Sequence, residues 1–362
     1  MAAKKRNPEI ELWRFIFTVI IFIFHSNHLD DRICLLQQGF TAVEFFFITS
    51  GYFMALSAEK KYADSPKGLG TVQFLKGKIA VFYPYVILSF IATYCIVEFT
   101  SDVSLKGAAG DFLLSFQELG LFKMAGIIGI KYFNGPSWYL SAMILAMLVT
   151  FPLLLKLKDT FIYVVSPAVT LVIYAYLSHE NGSLNVNTQW HIFTTLGVLR
   201  AVAGICAGCL CYGFVKLIKE RKTELTGFGK VSLASLEVLI LAALLFIMQN
   251  RIKFRNSISY DYFEVLLIFI LTVIVFSDIT GISNLLPSRL CAFLGEISLP
   301  VYLISRSVIY LYNGLGLNLR IRYALAFYTV CSAAGALVMF IIVKLCKKYK
   351  LGTKFLRLFV KN

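Results

Sequence analysis

Polar residues in this chain fall in short clusters between long apolar runs. Ten runs reach the roughly 20 residues that a helix needs to cross a bilayer. They cover about 10–29, 39–57, 79–99, 136–155, 161–178, 191–217, 231–249, 262–279, 290–311 and 322–345. An eleventh apolar stretch, residues 111–130, is broken by Gln117, Glu118, Gly120 and Lys123, and it reads as an interfacial or re-entrant helix. The first run is too long for a signal-peptide core and has no small-residue cleavage site behind it, so it is expected to stay as the first span. No internal repeat and no Pro/Gly/Ser linker divides the chain. The expected fold is all-α, a polytopic integral membrane helical bundle of about ten transmembrane helices. Residues 1–362 form one membrane domain with a basic tail at about 346–362.

Composition agrees with this pattern. The chain is 58% hydrophobic and 15% charged, with a mean hydropathy of +0.75; a soluble protein carries about 25% charged residues. A net charge of +15 would suggest nucleic acid in a soluble protein. Here the basic residues lie mostly in short loops and no nucleic-acid-binding signature accompanies them, so topology accounts for the charge. With the N-terminus cytoplasmic, 23 Lys and Arg fall in inside segments and 9 in outside loops, with Arg251, Lys253 and Arg255 the main outside cluster. This bias places both termini in the cytoplasm and the chain in the cell membrane as a multi-pass protein. Cys206, Cys209 and Cys211 sit inside an apolar run and read as small packing residues; no metal site is expected.

The ionisable residues inside the runs that bear on a site are Arg14, His25, Glu44, Arg200, Glu237, Glu296 and Arg306. Such groups are costly in lipid and usually face a partner or a water-filled cavity. Arg14 and His25 are eleven residues apart. That spacing advances a helix by about 20° past three turns and about 16 Å along its axis, so both side chains face the same way. One wall would then carry a cation near the cytoplasmic mouth and a base past the midplane. A ligand with an anionic head and a reactive tail, such as acyl-CoA, fits this arrangement. The alternative is that Arg14 snorkels to the headgroups and His25 only packs. Glu44 and Arg306 share the depth of His25, so Glu44 either orients the imidazole or neutralises Arg306; Arg14 and Glu296 are likewise matched in depth. Gly204 and Gly208 form a small-xxx-small pair suited to helix packing. Trp138 and Tyr139 read as interfacial anchors, and His28, His179 and His191 as solvated histidines at the outer surface.

Five segments carry a resemblance. They are Arg14 to His25 in the first run, "GFTAVEFFFITSGYFMA" at 39–55, "FLKGKIAVFYPY" at 74–85, "PSWYLSAMIL" at 136–145 and "LGEISLPVYLIS" at 294–305. In order and spacing the chain resembles the acyltransferase 3 family of bacterial integral membrane O-acyltransferases. The resemblance implies transfer of an acyl group, usually acetyl, from cytoplasmic acyl-CoA to a hydroxyl of a surface polysaccharide or lipid-linked glycan. It implies an essential pair in Arg14 and His25, with donor contacts from Ser50, Gly51 and Lys78. The family's Arg-x-x-Arg before Tyr-Pro is here Lys78 and Val81; lysine is a point charge rather than a fork, which shifts weight to Lys76. Met143 stands where many members have Glu, and Ser305 and Arg306 where many have His. No fused hydrolase-like domain follows, so the chain is expected to act alone or with a separate periplasmic or extracellular transferase.

Histidine suits the proton transfer, either as general base for direct transfer or as carrier of the acyl group. Glu44 would support its charge, and Arg200 or Arg306 would stabilise an oxyanion. No tightly bound cofactor is expected, and acetyl-CoA or another acyl-CoA enters as donor substrate. Two other classes remain open at this level: a transporter or flippase for a lipid-linked glycan or other anionic substrate, and a non-catalytic assembly partner.

Overall fold

The computed structural model describes residues 6–101, 103–126, 133–221, 225–250 and 259–349. Arg251, Lys253 and Arg255, and the tail beyond Tyr349, lie outside them. Eleven α-helices occupy the described residues: α1 Pro8–Ser26, α2 Val43–Lys61, α3 Lys67–Thr100, α4 Leu105–Leu119, α5 Ser137–Leu157, α6 Ser166–Asn181, α7 Leu196–Glu220, α8 Gly227–Gln249, α9 Ser259–Ser277, α10 Ser288–Gly314 and α11 Ile321–Lys348. Among the described residues, nine helical segments are long and apolar enough to cross a membrane. α1 covers the first apolar run but carries three charged residues, Glu9, Glu11 and Arg14, and is not among these nine. The protein is a polytopic helical membrane bundle.

The helix ends follow local chemistry. The Asn7 side chain caps α1 by accepting from the amides of Glu9 (2.9 Å) and Ile10 (3.3 Å), and Pro8 takes the first turn, where no amide donor is needed. Gly182 ends α6 in the left-handed region (φ 62°), its N–H reaching the Ser178 carbonyl. α3 begins well before its apolar run, because backbone hydrogen bonding continues past the point where lipid-soluble residues stop. α7 starts later than its run. Residues Trp190–His191 (β1) and Thr194–Thr195 (β2) form a small antiparallel ladder in front of it. The interrupted stretch is helical only as α4. It packs on α3 through the Tyr94 hydroxyl, which donates to the Ala108 carbonyl at 2.9 Å, and turns occupy 120–126. Residues 127–132 of that stretch lie outside the described set.

Burial separates inner from outer helices. The apolar window of α2 is 83% buried and that of α7 67%, against 28% for α8 and 33% for α11. α7 packs on α2, α5, α6 and α9, and α10 packs on α1, α3 and α11. The Tyr328 hydroxyl of α11 donates to the Phe22 carbonyl of α1 (3.2 Å). The outer faces stay apolar, with Leu171, Val172, Val238 and Leu239 exposed to the surroundings as lipid-facing residues are.

α2 and α7 meet at two glycines. A Cβ on Gly51 would overlap the Ile205 carbonyl, and one on Gly208 would overlap the Ile48 carbonyl and come within 2.8 Å of the Gly51 Cα. On Gly204 a Cβ would lie 2.5 Å from that of Phe47. Small residues here let the backbones touch, which is how helices associate in lipid. The expected packing role of Gly204 and Gly208 is thus met. Gly51 packs against α7 as well, its Cα facing the Ile205 carbonyl. Replacing Gly51 with Val is expected to destabilise the bundle by about 1–3 kcal/mol, as overpacking does. Thermal unfolding in detergent checks this, with Ser50→Ala expected to leave the midpoint nearly unchanged.

Candidate functional site

α1 is the shared wall of two cavities placed end to end. The proximal one, about 300 Å³, is lined by Arg14, Thr18, Ser50, Lys78, Tyr139 and Met143, with Phe46, Phe53, Phe82 and Leu299 as apolar walls. The distal one, about 350 Å³, is lined by His25, His28, Trp138, Arg200, Arg306 and Tyr310, with Asn185 and Asn187 from the segment after α6. Ile21, Val43 and Tyr302 line both, so they form the partition between them. The common face expected for Arg14 and His25 is present, with one residue in each cavity.

In the proximal cavity Arg14 is held by Glu11, Nη1 to Oε2 at 3.1 Å, one turn earlier on the same helix. Glu296, the partner suggested by depth, instead meets Arg6 at 3.3 Å. Lys78 lines the cavity beside Arg14, whereas Lys76 is exposed and lines neither. Two residues on a helix turn about 200°, which puts the two lysines on opposite faces. The Ser50 hydroxyl lies 3.3 Å from the Met143 sulfur and 3.5 Å from the Tyr139 hydroxyl. Met143 therefore fills the wall where many family members have Glu, as a weak acceptor rather than a charge. Trp138 and Tyr139 are not interfacial anchors: they line the distal and proximal cavities.

The distal cavity places Glu44 and Arg200 otherwise than expected. Glu44 does not reach His25 or Arg306. Its carboxylate pairs with Arg200 Nε and accepts from the Tyr174 hydroxyl, while Arg200 Nη2 donates to the Phe40 carbonyl at 2.7 Å. Glu44 is fully buried and Arg200 is 1% exposed. Gly204 makes room for this carboxylate, since a Cβ there would lie 3.0 Å from Glu44 Oε2. The pair joins α2, α6 and α7, so Arg200 is committed before any substrate arrives. His25 has neighbouring rings but no polar partner at Nδ1 among the described residues; Phe24 lies at 5.6 Å, Tyr302 at 6.4 Å and His28 at 6.5 Å. His28 is exposed, as an outer-surface histidine should be, and it also lines the same cavity three residues on. His179 is exposed beside Glu180, and His191 sits in the short ladder near the Tyr176 ring.

Residues with no expected role hold this cavity in shape. Tyr302, inside the "SLPVYLIS" segment, donates to the Pro136 carbonyl at 3.1 Å and so fixes the partition to the start of α5. Glu118, a break in the interrupted stretch, accepts from the amides of Phe133 (2.9 Å) and Asn134 (3.0 Å) and from the Ser137 hydroxyl (2.7 Å). Lys123 lies 4.0 Å from Glu118 and donates to the Asn134 carbonyl at 2.8 Å. Asp261 accepts from Gln38, from the Ser183 hydroxyl (2.9 Å) and from the Leu184 amide (2.6 Å), which pins the segment bearing Asn185 and Asn187. A polar residue interrupting an apolar run was the signal for Glu118; Asp261 had only its place at the start of one.

Residues 7–344 match the family model described as "Acyltransferase domain". The chain belongs to the acyltransferase 3 family. Comparison with curated proteins and with solved structures returned no match. The match covers nearly the whole chain and makes the protein a membrane acyltransferase.

The Glu44–Arg200 pair has a measurable signature. Arg200→Met or Glu44→Met alone leaves a buried charged group unpaired and is expected to cost about 3–5 kcal/mol. The double variant Glu44→Met with Arg200→Met is expected to cost less than the sum. Unfolding midpoints of the four proteins in one detergent give the coupling.

Proposed function

We propose that the protein moves an acyl group, most simply acetyl, from cytoplasmic acyl-CoA to a hydroxyl of a cell-surface polysaccharide or lipid-linked glycan in the plasma membrane. One observation carries the reading: the proximal and distal cavities abut at Ile21, Val43 and Tyr302, with Arg14 and Lys78 in the first and His25 in the second. Donor and acceptor then enter from opposite ends and meet at the partition.

In this reading Arg14 and Lys78 take the phosphates of the donor, and the apolar walls hold its extended arm. Ser50 lies deeper along that path. The thioester carbonyl reaches the partition, and the acceptor hydroxyl reaches it from the distal side. His25 takes the hydroxyl proton as the new C–O bond forms; the C–S bond then breaks and CoA leaves as thiolate. Direct transfer fits better than an acyl-histidine, because His25 lies on the acceptor side of the partition. Confinement in a cavity adds the usual benefit of fixed geometry. Gly51, Glu44, Arg200 and Lys76 drop out of the chemistry, the first three because they are committed to packing or pairing and the last because it faces away. Any separate extracellular transferase would act downstream on the product.

His25→Ala is expected to cut transfer by about 10²–10⁴-fold, the range for a lost general base. Arg14→Gln is expected to raise the KM for acetyl-CoA more than it lowers kcat. Membranes carrying matched amounts of each protein, given radiolabelled acetyl-CoA with the native glycans, measure both. Equal labelling by wild type and His25→Ala would sink the role of His25. No labelling by either, with other short acyl-CoAs also supplied, would favour the flippase, for which acyl-CoA is irrelevant.

A further inference from the structure

The distal cavity holds more positive charge than its own structure uses. Arg200 is neutralised by Glu44, and Lys123, which lies behind the cavity wall, faces Glu118 at 4.0 Å. Among the described residues, no Asp or Glu lines the cavity. Arg306 lines it, and among the described residues no carboxylate forms an ion pair with it. Its guanidinium lies 5.4 Å from the Tyr310 ring, and its stem passes over Gly135, where a Cβ would come 3.4 Å from Cγ. Among the described residues, the other titratable groups lining the cavity are His25, His28, Tyr302 and Tyr310, and Lys123 and Tyr328 lie close enough to interact with Arg306 from behind its wall. An arginine in a membrane span without a counterion is costly, so such a group is a functional candidate and its partner is expected from outside. Around it stand the amides of Asn185 and Asn187 and the flat rings of Trp138 and Tyr310. Amides suit sugar hydroxyls, and aromatic rings suit sugar faces.

Resting on the acyltransferase reading with acceptor in the distal cavity, we propose that the acceptor is anionic. Arg306 forms a subsite for a carboxylate or phosphate carried by the glycan beside the hydroxyl that is acylated. Arginine matches either group through two parallel N–H donors. Arg306 then sets acceptor specificity rather than stabilising the reaction's oxyanion. The two roles differ in what they predict. A specificity subsite acts only on acidic acceptors, whereas an oxyanion donor acts on all of them.

The test uses the purified protein in phosphatidylcholine nanodiscs and two radiolabelled probes, octyl β-D-glucuronide and octyl β-D-glucoside, which differ in one carboxylate. Equilibrium binding is expected to favour the glucuronide by about tenfold or more, the scale of a charge-assisted hydrogen bond. Arg306→Gln is expected to abolish that preference while leaving glucoside affinity unchanged. Arg306→Lys is expected to keep part of it, which separates lost charge from lost fold. Equal affinity of wild type for the two probes, binding of neither, or an equal loss for both in Arg306→Gln would overturn the proposal. Displacement of the glucuronide when phosphatidylglycerol replaces phosphatidylcholine would overturn the glycan assignment and leave a headgroup site. Acetyl transfer to the bound probes is scored separately. Its absence with the charge preference intact would strike the acyltransfer mechanism and leave the anion subsite standing.

Discussion

The contact between α2 and α7 is the constraint on which the rest of the structure depends. In lipid there is little hydrophobic gain in pressing two apolar helices together, so close packing and buried polar bonds must hold them. Gly51, Gly204 and Gly208 let the two backbones touch. The Glu44–Arg200 pair then joins the same two helices and recruits Tyr174 from α6. With these helices locked, Val43 and Ser50, one residue before Glu44 and Gly51 and so about 100° round α2, become fixed walls of the proximal cavity.

On the proposed reading, the protein must bring a water-soluble donor and a polar acceptor to one point without opening a leak. Two short cavities that meet at Ile21, Val43 and Tyr302 meet that need better than one continuous pore. Tyr302 is held by the Pro136 carbonyl, and Pro136 leads into α5 through a turn that Glu118 and Lys123 fasten. The partition is therefore anchored by polar bonds from the segment that interrupts the apolar pattern. The charged groups of the bundle divide accordingly: Glu44, Arg200, Glu118, Lys123 and Asp261 are satisfied internally and build the walls, whereas Lys78, His25 and Arg306 face open space.

Much of this was legible in the sequence. The apolar runs foretold all ten long helices, because the thickness of the bilayer sets a run length that no soluble segment needs. The spacing of Arg14 and His25 foretold their common face, because helix geometry is local. Five ordered segments foretold the family. What the sequence could not determine is azimuth between helices. Depth made Glu44 a neighbour of His25 and Glu296 a neighbour of Arg14, yet depth is one coordinate of three. Only the tertiary structure turned Glu44 toward α7, Gly51 toward Ile205 and Lys76 away from the cavity, and brought His28, Tyr302 and Arg306 around His25. Which side chains meet across helices depends on packing of the whole bundle, and that is written in no single span.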